Sequence, residues 1–279
     1  MYNTINGIKY DDAPVGWANV GVAAGLLSIN GFLSMFLGLN IGKTLTISAI
    51  RCVVQLTVMA LVLKKVLSSE IAFYSFFMTS VLAALAAYEI TYWRINQRIP
   101  GMYASIFVSI YGSSLFIGVI GNMYAMNTKP AWAAYKFIPI MGMLLGNCMI
   151  GITMGVKSIF ESTVIKKDQI EMYLAYGATR WEIAKPILIT AMRSALIPTI
   201  NNMSITGLIS IPGMMTGQIL GGADVMQATH YQQIIMFLIS ASTALGSIIA
   251  TLYILLTLVD GVPRLRIDKL IDTKKQKTM

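Results

Sequence analysis

Apolar residues along this chain fall in long unbroken blocks rather than in short alternating segments. A helix needs roughly 20 such residues to cross the hydrocarbon core of a bilayer. Seven blocks meet that need: Trp17–Leu39, Leu45–Leu63, Ile71–Tyr88, Tyr103–Gly121, Ile138–Val156, Thr199–Leu220 and Gln232–Leu258. A membrane-spanning barrel would instead show strands of about ten residues with alternating polarity. The pattern therefore predicts an all-α integral membrane protein, a bundle of about seven transmembrane helices, with residues 1–279 forming a single transmembrane domain. Glu89–Gly101, with Arg94, Asn96, Gln97, Arg98 and Pro100, reads as a loop or interfacial turn. No internal repeat is evident, and an odd span count argues against the even inverted repeats of many secondary transporters.

Composition supports lipid as the main solvent. Hydrophobic residues make up 56% of the chain and charged residues 12%, against about 25% charged in a soluble domain; mean hydropathy is +0.68. The net charge of +9 sits in loops and at the C-terminus beside apolar spans. That placement fits orientation and lipid headgroups, and no basic stretch is interleaved with aromatics as a nucleic-acid groove requires. With the N-terminus outside, Lys43, Arg94, Arg98, Lys157, Lys166, Lys167, Arg180, Lys185 and Arg193 fall on the cytoplasmic side. A basic tail, 261–279, joins them there. Fewer lysines lie outside: Lys9, Lys64, Lys65, Lys129 and Lys136. Lys64 and Lys65 can snorkel to the outer interface. No cleavable leader is expected: Lys9 is the lone early cation and the first apolar run is too long for an h-region. Cys52 and Cys148 lie inside spans and read as small buried hydrophobes. With a single His, His230, they cannot build a zinc site, and no cofactor is expected.

The longest polar stretch, 157–193, is expected to face the cytoplasm. Asp168 followed by Glu171 has the spacing of a helix-starting capping box, and Thr179-Arg180-Trp181-Glu182 has it again. Gly177 between them suits a left-handed stop, and Pro186 is expected to kink or interrupt the second helix. The expected unit is helix, tight glycine turn, helix. It is either an interfacial amphipathic loop or a docking element, with Arg and Trp as its contact residues.

Glu171, Gly177-Ala178-Thr179-Arg180-Trp181 and Ile187 resemble the EAA loop of ABC-transporter permeases, where a Glu is followed six residues later by Gly and ten after that by Ile. The Leu-Pro that usually ends that loop is Leu188-Ile189 here. A closer resemblance covers nearly the whole chain. Arg51-Cys52-Val53-Val54-Gln55-Leu56, the string from Ser210-Ile211-Pro212-Gly213-Met214-Met215-Thr216-Gly217-Gln218 to Gly222, and Ala228-Thr229-His230-Tyr231-Gln232 are similar to the FetB family of permeases, which includes plant aluminium-tolerance relatives. Val225 stands where that family has Pro, and Thr229-His230 replaces its Ala-Arg. The resemblance implies a permease that exports iron in bacteria and carries a nucleotide sugar in plants. It further implies that the loop, through Glu171, Gly177, Ala178, Thr179, Arg180 and Trp181, docks on a separate ATPase subunit.

Polar groups deep in lipid need a partner or an aqueous path. Arg51 and Gln55, four apart on one helix face, line either a structural pair, with Glu89 as Arg51's partner, or the translocation path. Pro212-Gly213 should break the sixth span, and broken spans expose carbonyls where substrates bind. Met214, Met215 and Gln218 follow at once, so Arg51, Gln55, Pro212, Gly213, Met214, Met215 and Gln218 are the pathway candidates. The 19 Met suit soft ions, but most read as filler. Asn30, Asn122, Asn147, Asn201 and Asn202 read as interhelical glue or helix-end groups, and His230 as an outer-surface residue.

Three functions compete. An ABC permease would need an ATPase on another chain, because no G-x-x-x-x-G-K-[ST] occurs; seven spans then make half a pathway, so a homodimer of permeases in membrane lipid with two separate ATPase subunits is expected. A partner-independent secondary transporter would need carboxylates in its spans, and only Glu89 and Asp260, at span ends, are available. An intramembrane enzyme is the least favoured of the three, since no Ser/His, paired-Asp or His-rich constellation appears in the spans. The residues do not name the substrate, which can be a metal ion or an organic solute.

Overall fold

Lipid offers the backbone no hydrogen-bond partners, so each crossing segment must satisfy its own amides as a helix. The computed structural model describes residues 2–5, 8–11, 16–39, 41–66, 72–259 and 271–272, and they are overwhelmingly helical. In chain order the helices are α1 (Trp17–Phe36), α2 (Gly42–Val66), α3 (Ala72–Glu89), α4 (Met102–Ile120), α5 (Ala134–Ile165), α6 (Lys167–Ala175), α7 (Arg180–Ile205), α8 (Gly213–Leu220) and α9 (Val225–Leu258). Among the described residues, seven are long and apolar enough to cross a membrane: all but α6 and α8. Single π-helical turns, Ile90–Arg94 and Gly121–Ala125, extend α3 and α4. Among the described residues strands are confined to short pairs: β1 (Tyr2–Ile5) with β2 (Ile8–Asp11), and β3 (Gln97–Arg98) with β4 (Ile271–Asp272). The basic cluster expected over 261–279, and Asp260, lie outside the described residues apart from 271–272.

The chain forms two units, 1–69 and 70–279. In the first, α1 packs on α2, and Ser34, buried, takes the Ile41 amide at 3.0 Å to fix the turn between them. Large apolar side chains such as Phe32, Phe36 and Leu56 are exposed, as lipid-facing side chains must be.

In the second unit α5 is the central helix and packs on α9, α7, α3 and α4. Hydrophobic burial gives little drive between helices already in lipid, so close approach and hydrogen bonding must hold them. A Cβ placed on Gly151 would lie 2.5 Å from Thr243 Cγ2, 2.9 Å from Ser247 Oγ and 3.2 Å from the Ala195 carbonyl oxygen. One missing methyl therefore seats α5 against α7 and α9 together. Gly155 repeats this one turn on, with Thr251 Cγ2 at 2.9 Å and Ala195 Cβ at 3.3 Å. On α9, a Cβ on Gly246 would strike Cys148 Sγ and come within 2.7 Å of Ser113 Oγ. Around these glycines run buried hydroxyls. Ser114 and Ser242 share a hydrogen bond at 3.1 Å, and the Cys148 thiol donates to the Ser242 carbonyl at 3.8 Å. Cys148 is thus the buried small hydrophobe expected, whereas Cys52 is exposed on α2.

The sixth span differs from its expected place. The apolar run Thr199–Leu220 is not one helix: α7 ends at Ile205 and α8 begins at Gly213. The span is Arg180–Ile205, so most of the polar stretch after Thr179 belongs to it. The reason is a stripe at helical spacing, Ile183, Ile187, Ala191, Ala195 and Thr199, all buried, with Lys185 and Arg193 turned outward. Pro186 and Pro198 both lie inside α7, so Pro186 does not end it. Likewise α5 continues to Ile165, which moves Lys157 out of any loop, and α3 with its π turn continues to Arg94, shortening the expected loop after Glu89.

Two substitutions test the glycine contacts. Gly151→Leu should destabilise the unit by about 1–3 kcal/mol through overpacking, lowering the thermal midpoint of the purified chain in nanodiscs. Gly142→Ala, on the same helix with nothing within 4 Å of the added Cβ, should leave the midpoint unchanged or raise it.

Candidate functional site: a groove at one end of the bundle and an exposed helical turn at the other

At the end of the bundle where α4 finishes and α5 and α9 begin lies an open groove of about 520 Å³. The π turn after α4 contributes Ala125 and is followed by Met126; the first turn of α5 contributes Tyr135 and Lys136. From α8 come Met214 and Gln218, one turn apart, and from the start of α9 come Gln227, Ala228, His230 and Tyr231. The local sequence explains the shape. Pro212, extended at φ −63 and ψ 140, caps α8. Gly222, at φ +88, then turns the chain in a conformation that L side chains rarely adopt. Asp224 caps α9, its Oδ2 accepting from the Gln227 amide at 3.0 Å. Val225 is therefore the first helical position, where a proline also fits, so the Val stands without changing this turn. Below the groove Ile140, Leu144, Ile235 and Ile239 form a buried floor on which Met126, Met143, Met214 and Met236 pack. Asn122 supports the rim by donating from Nδ2 to the Ala131 carbonyl.

Of the expected pathway residues, Met214 and Gln218 line this groove. Pro212 and Gly213 shape it from the end of α8, and Met215, half-buried on the same helix, is not among the lining residues. The groove's lining comes wholly from the second unit. Arg51 and Gln55 lie one turn apart on α2 in the first, both exposed. Glu89, considered as Arg51's partner, has its Oε1 4.0 Å from Arg94 Nε. Tyr135, Lys136 and Gln227 had no motif to announce them, and Tyr231, though part of the Ala228–Gln232 string, was not among the expected pathway residues. His230, read as a surface residue, is exposed and lies in the groove's lining. Among the described residues no cluster of His, Cys, Asp and Glu is suited to a metal ion.

At the opposite end, α5 and α6 are separated by one residue, Lys166, at φ −98 and ψ 18. This leaves no extended position for a side-chain cap. The cap expected from Asp168 is therefore not made. Asp168 lies in the first turn of α6, where a carboxylate still favours the positive helix end. Glu171 reaches back to Lys167 Nζ at 3.8 Å. The second box is formed as expected: Thr179 Oγ1 accepts from the Glu182 amide, and Glu182 Oε2 accepts from the Thr179 amide at 2.8 Å. Gly177, at φ +85, makes the left-handed turn between α6 and α7. Arg180, first in α7, donates from Nη2 to the Leu256 carbonyl in the last turn of α9, where a cation meets the negative helix end. Tyr173, Tyr176 and Trp181 are 55%, 84% and 54% exposed, an aromatic surface beside exposed Glu171.

The profile of uncharacterised protein family UPF0014 matches residues 17–258. The chain belongs to that family. UPF0014 membrane protein slr1647 of Synechocystis is 31% identical over 84% of this chain and 90% of its own length. The Escherichia coli protein titled probable iron export permease protein FetB is 27% identical over 76% of this chain and 80% of its own. Protein ALUMINUM SENSITIVE 3 of Arabidopsis thaliana is 28% identical over 78% of each. No solved structure matches. The chain is thus a multi-pass membrane protein of the UPF0014 family.

The turn chemistry can be checked directly. Thr179→Ala should cost about 1 kcal/mol at the start of α7, and Gly177→Ala about 1–2 kcal/mol for its left-handed backbone. Both should appear as faster hydrogen exchange over 174–184, with the amides of α5 and α9 near Gly151 unaffected.

Proposed function

We propose that this chain is the membrane-spanning permease subunit of an ATP-driven ABC transporter. Two copies would make one pathway, powered by a separate ATPase subunit, with the N-terminus outside and the C-terminus cytoplasmic. The whole of 1–279 acts as one permease domain in this reading. The observation that carries it is the exposed segment from Glu171 to Trp181. Its helix, left-handed glycine and capped helix hold three aromatic side chains exposed on the chain's surface, of the kind that anchors a partner. Arg180 then links that segment to α9, and α9 is 34 residues long. At 1.5 Å per residue it reaches about 50 Å, to the groove lined by Gln227 and Tyr231. ATP binding on the partner would move the docking segment, and α9 and α7 would carry the motion across the bilayer.

Export of iron or another metal ion is the cargo suggested by the FetB relative's title, and an organic solute is the alternative. A partner-independent transporter is disfavoured by the span sequences: among the described spanning helices, carboxylates sit only toward their ends, at Glu89, Glu161 and Glu182.

Co-expression with small ATPases encoded beside the chain, followed by ATP hydrolysis in liposomes, tests the reading. Glu171 makes only an exposed pair with Lys167, worth well under 1 kcal/mol, so Glu171→Ala should leave the permease folded. A co-purified complex should nonetheless lose at least fivefold of its ATPase activity in that variant. Should no ATPase associate, and the chain alone move solute along an ion gradient, the ABC reading falls.

A further inference from the structure

We infer that the groove at the start of α5, α8 and α9 binds a ligand bearing anionic phosphate or carboxylate oxygens, and not a bare metal cation. The inference deepens the permease reading and rests on it for the groove's place in transport. The charge of the lining carries it. Lys136 lines it, with its Nζ 5.7 Å from the centre of the Tyr135 ring that lines it too, and His230 adds an imidazole. No carboxylate lines the groove among the described residues. The nearest in sequence, Asp224, is taken up in capping α9 through the Gln227 amide.

A hard cation such as a ferrous, manganous or magnesium ion is held by several carboxylate or carbonyl oxygens, and an ammonium in the same cavity would repel it. The two thioethers of Met126 and Met214 do not offset that charge. An anion meets the opposite situation. Lys136 supplies charge, and Gln218 and Gln227 supply amide donors. The residues that line the groove also come from first turns: Tyr135 and Lys136 on α5, Met214 on α8, and Gln227 and Ala228 on α9. Helix starts carry partial positive charge, and three of them open on the groove against the helix ends at Ala125 and Gln218. Tyr135 and Tyr231 give an aromatic wall for the ligand's body. If the cargo is a metal, it enters this groove as an anionic complex.

The test uses the full chain in phosphatidylcholine nanodiscs, titrated by calorimetry with citrate, inorganic pyrophosphate, or chelator-free ferrous ion. Citrate or pyrophosphate should bind, Lys136→Gln should weaken that binding at least tenfold, and Lys136→Arg should keep it within about threefold. Retention by the arginine variant separates loss of charge from loss of fold. Repeating the titration in phosphatidylglycerol discs identifies the source. Binding that persists marks a soluble anion, and binding displaced there while still dependent on Lys136 marks a lipid headgroup on the same anion site. Ferrous ion binding alone, binding of neither anion in phosphatidylcholine, or anion binding untouched by Lys136→Gln would each overturn the inference. No ATPase enters this assay, so its failure leaves the ABC reading standing; anion binding by a chain with which no ATPase co-purifies would sink that reading alone.

Discussion

Gly151 allows α5 to touch α7 and α9 at the same level, with the Ala195 carbonyl on one side and Thr243 and Ser247 on the other. The rest of the second unit depends on that contact. In lipid, apolar side chains gain little by leaving one hydrocarbon environment for another, so helices associate where backbones come close and hydroxyls find partners. Gly155 and Gly246 extend the close approach along the seam, and the Ser114–Ser242 bond closes it. Each such bond is worth only about 0.6 kcal/mol on average. The fit of three helices over several turns, and not any single bond, sets their register.

That register determines what happens at the two ends. Because α5 and α9 run together through the seam, their first turns emerge side by side, and the short α8 packs on α9 beside them. The groove is the space those helix starts leave. At the far end the same register brings the start of α7 to the end of α9, where Arg180 finds the Leu256 carbonyl. The groove and the exposed aromatic segment are therefore joined by continuous helix. Rigid helices with two alternative packings are a physical route by which an event at one end can be felt at the other. Small residues along the seam suit such movement, since a glycine surface has no interlocking side chains to disengage.

The first unit illustrates the other consequence of lipid as solvent. On α1, Ser34 is the buried residue, while the aromatic and aliphatic side chains around it are exposed. In water this would signal an unfolded or aggregating helix pair; in a bilayer it is the ordinary condition of a spanning helix.

The chain's own sequence determined that it spans a membrane about seven times, because the cost of unpaired backbone and charge in hydrocarbon is met only by long apolar helices. It determined the caps as well: Thr179 with Glu182, and the left-handed turn at Gly177, follow from side chains three residues apart and from a missing Cβ. Asp168 shows the limit of that local reading. The same capping spacing fails there because α5 stops one residue earlier and leaves no extended position. The sixth span was misplaced for a related reason. Its first half is amphipathic, with a buried stripe through Ile183, Ile187 and Ala191, and the sum of hydropathy along a window is blind to which face each residue takes. Only tertiary packing could say that Lys136, Gln218 and His230, from three separate segments, line one cavity, or that Arg180 reaches α9. Period and composition act along one helix, whereas a groove is made by the angles and heights at which several helices meet. Those were fixed by where a methyl group was absent.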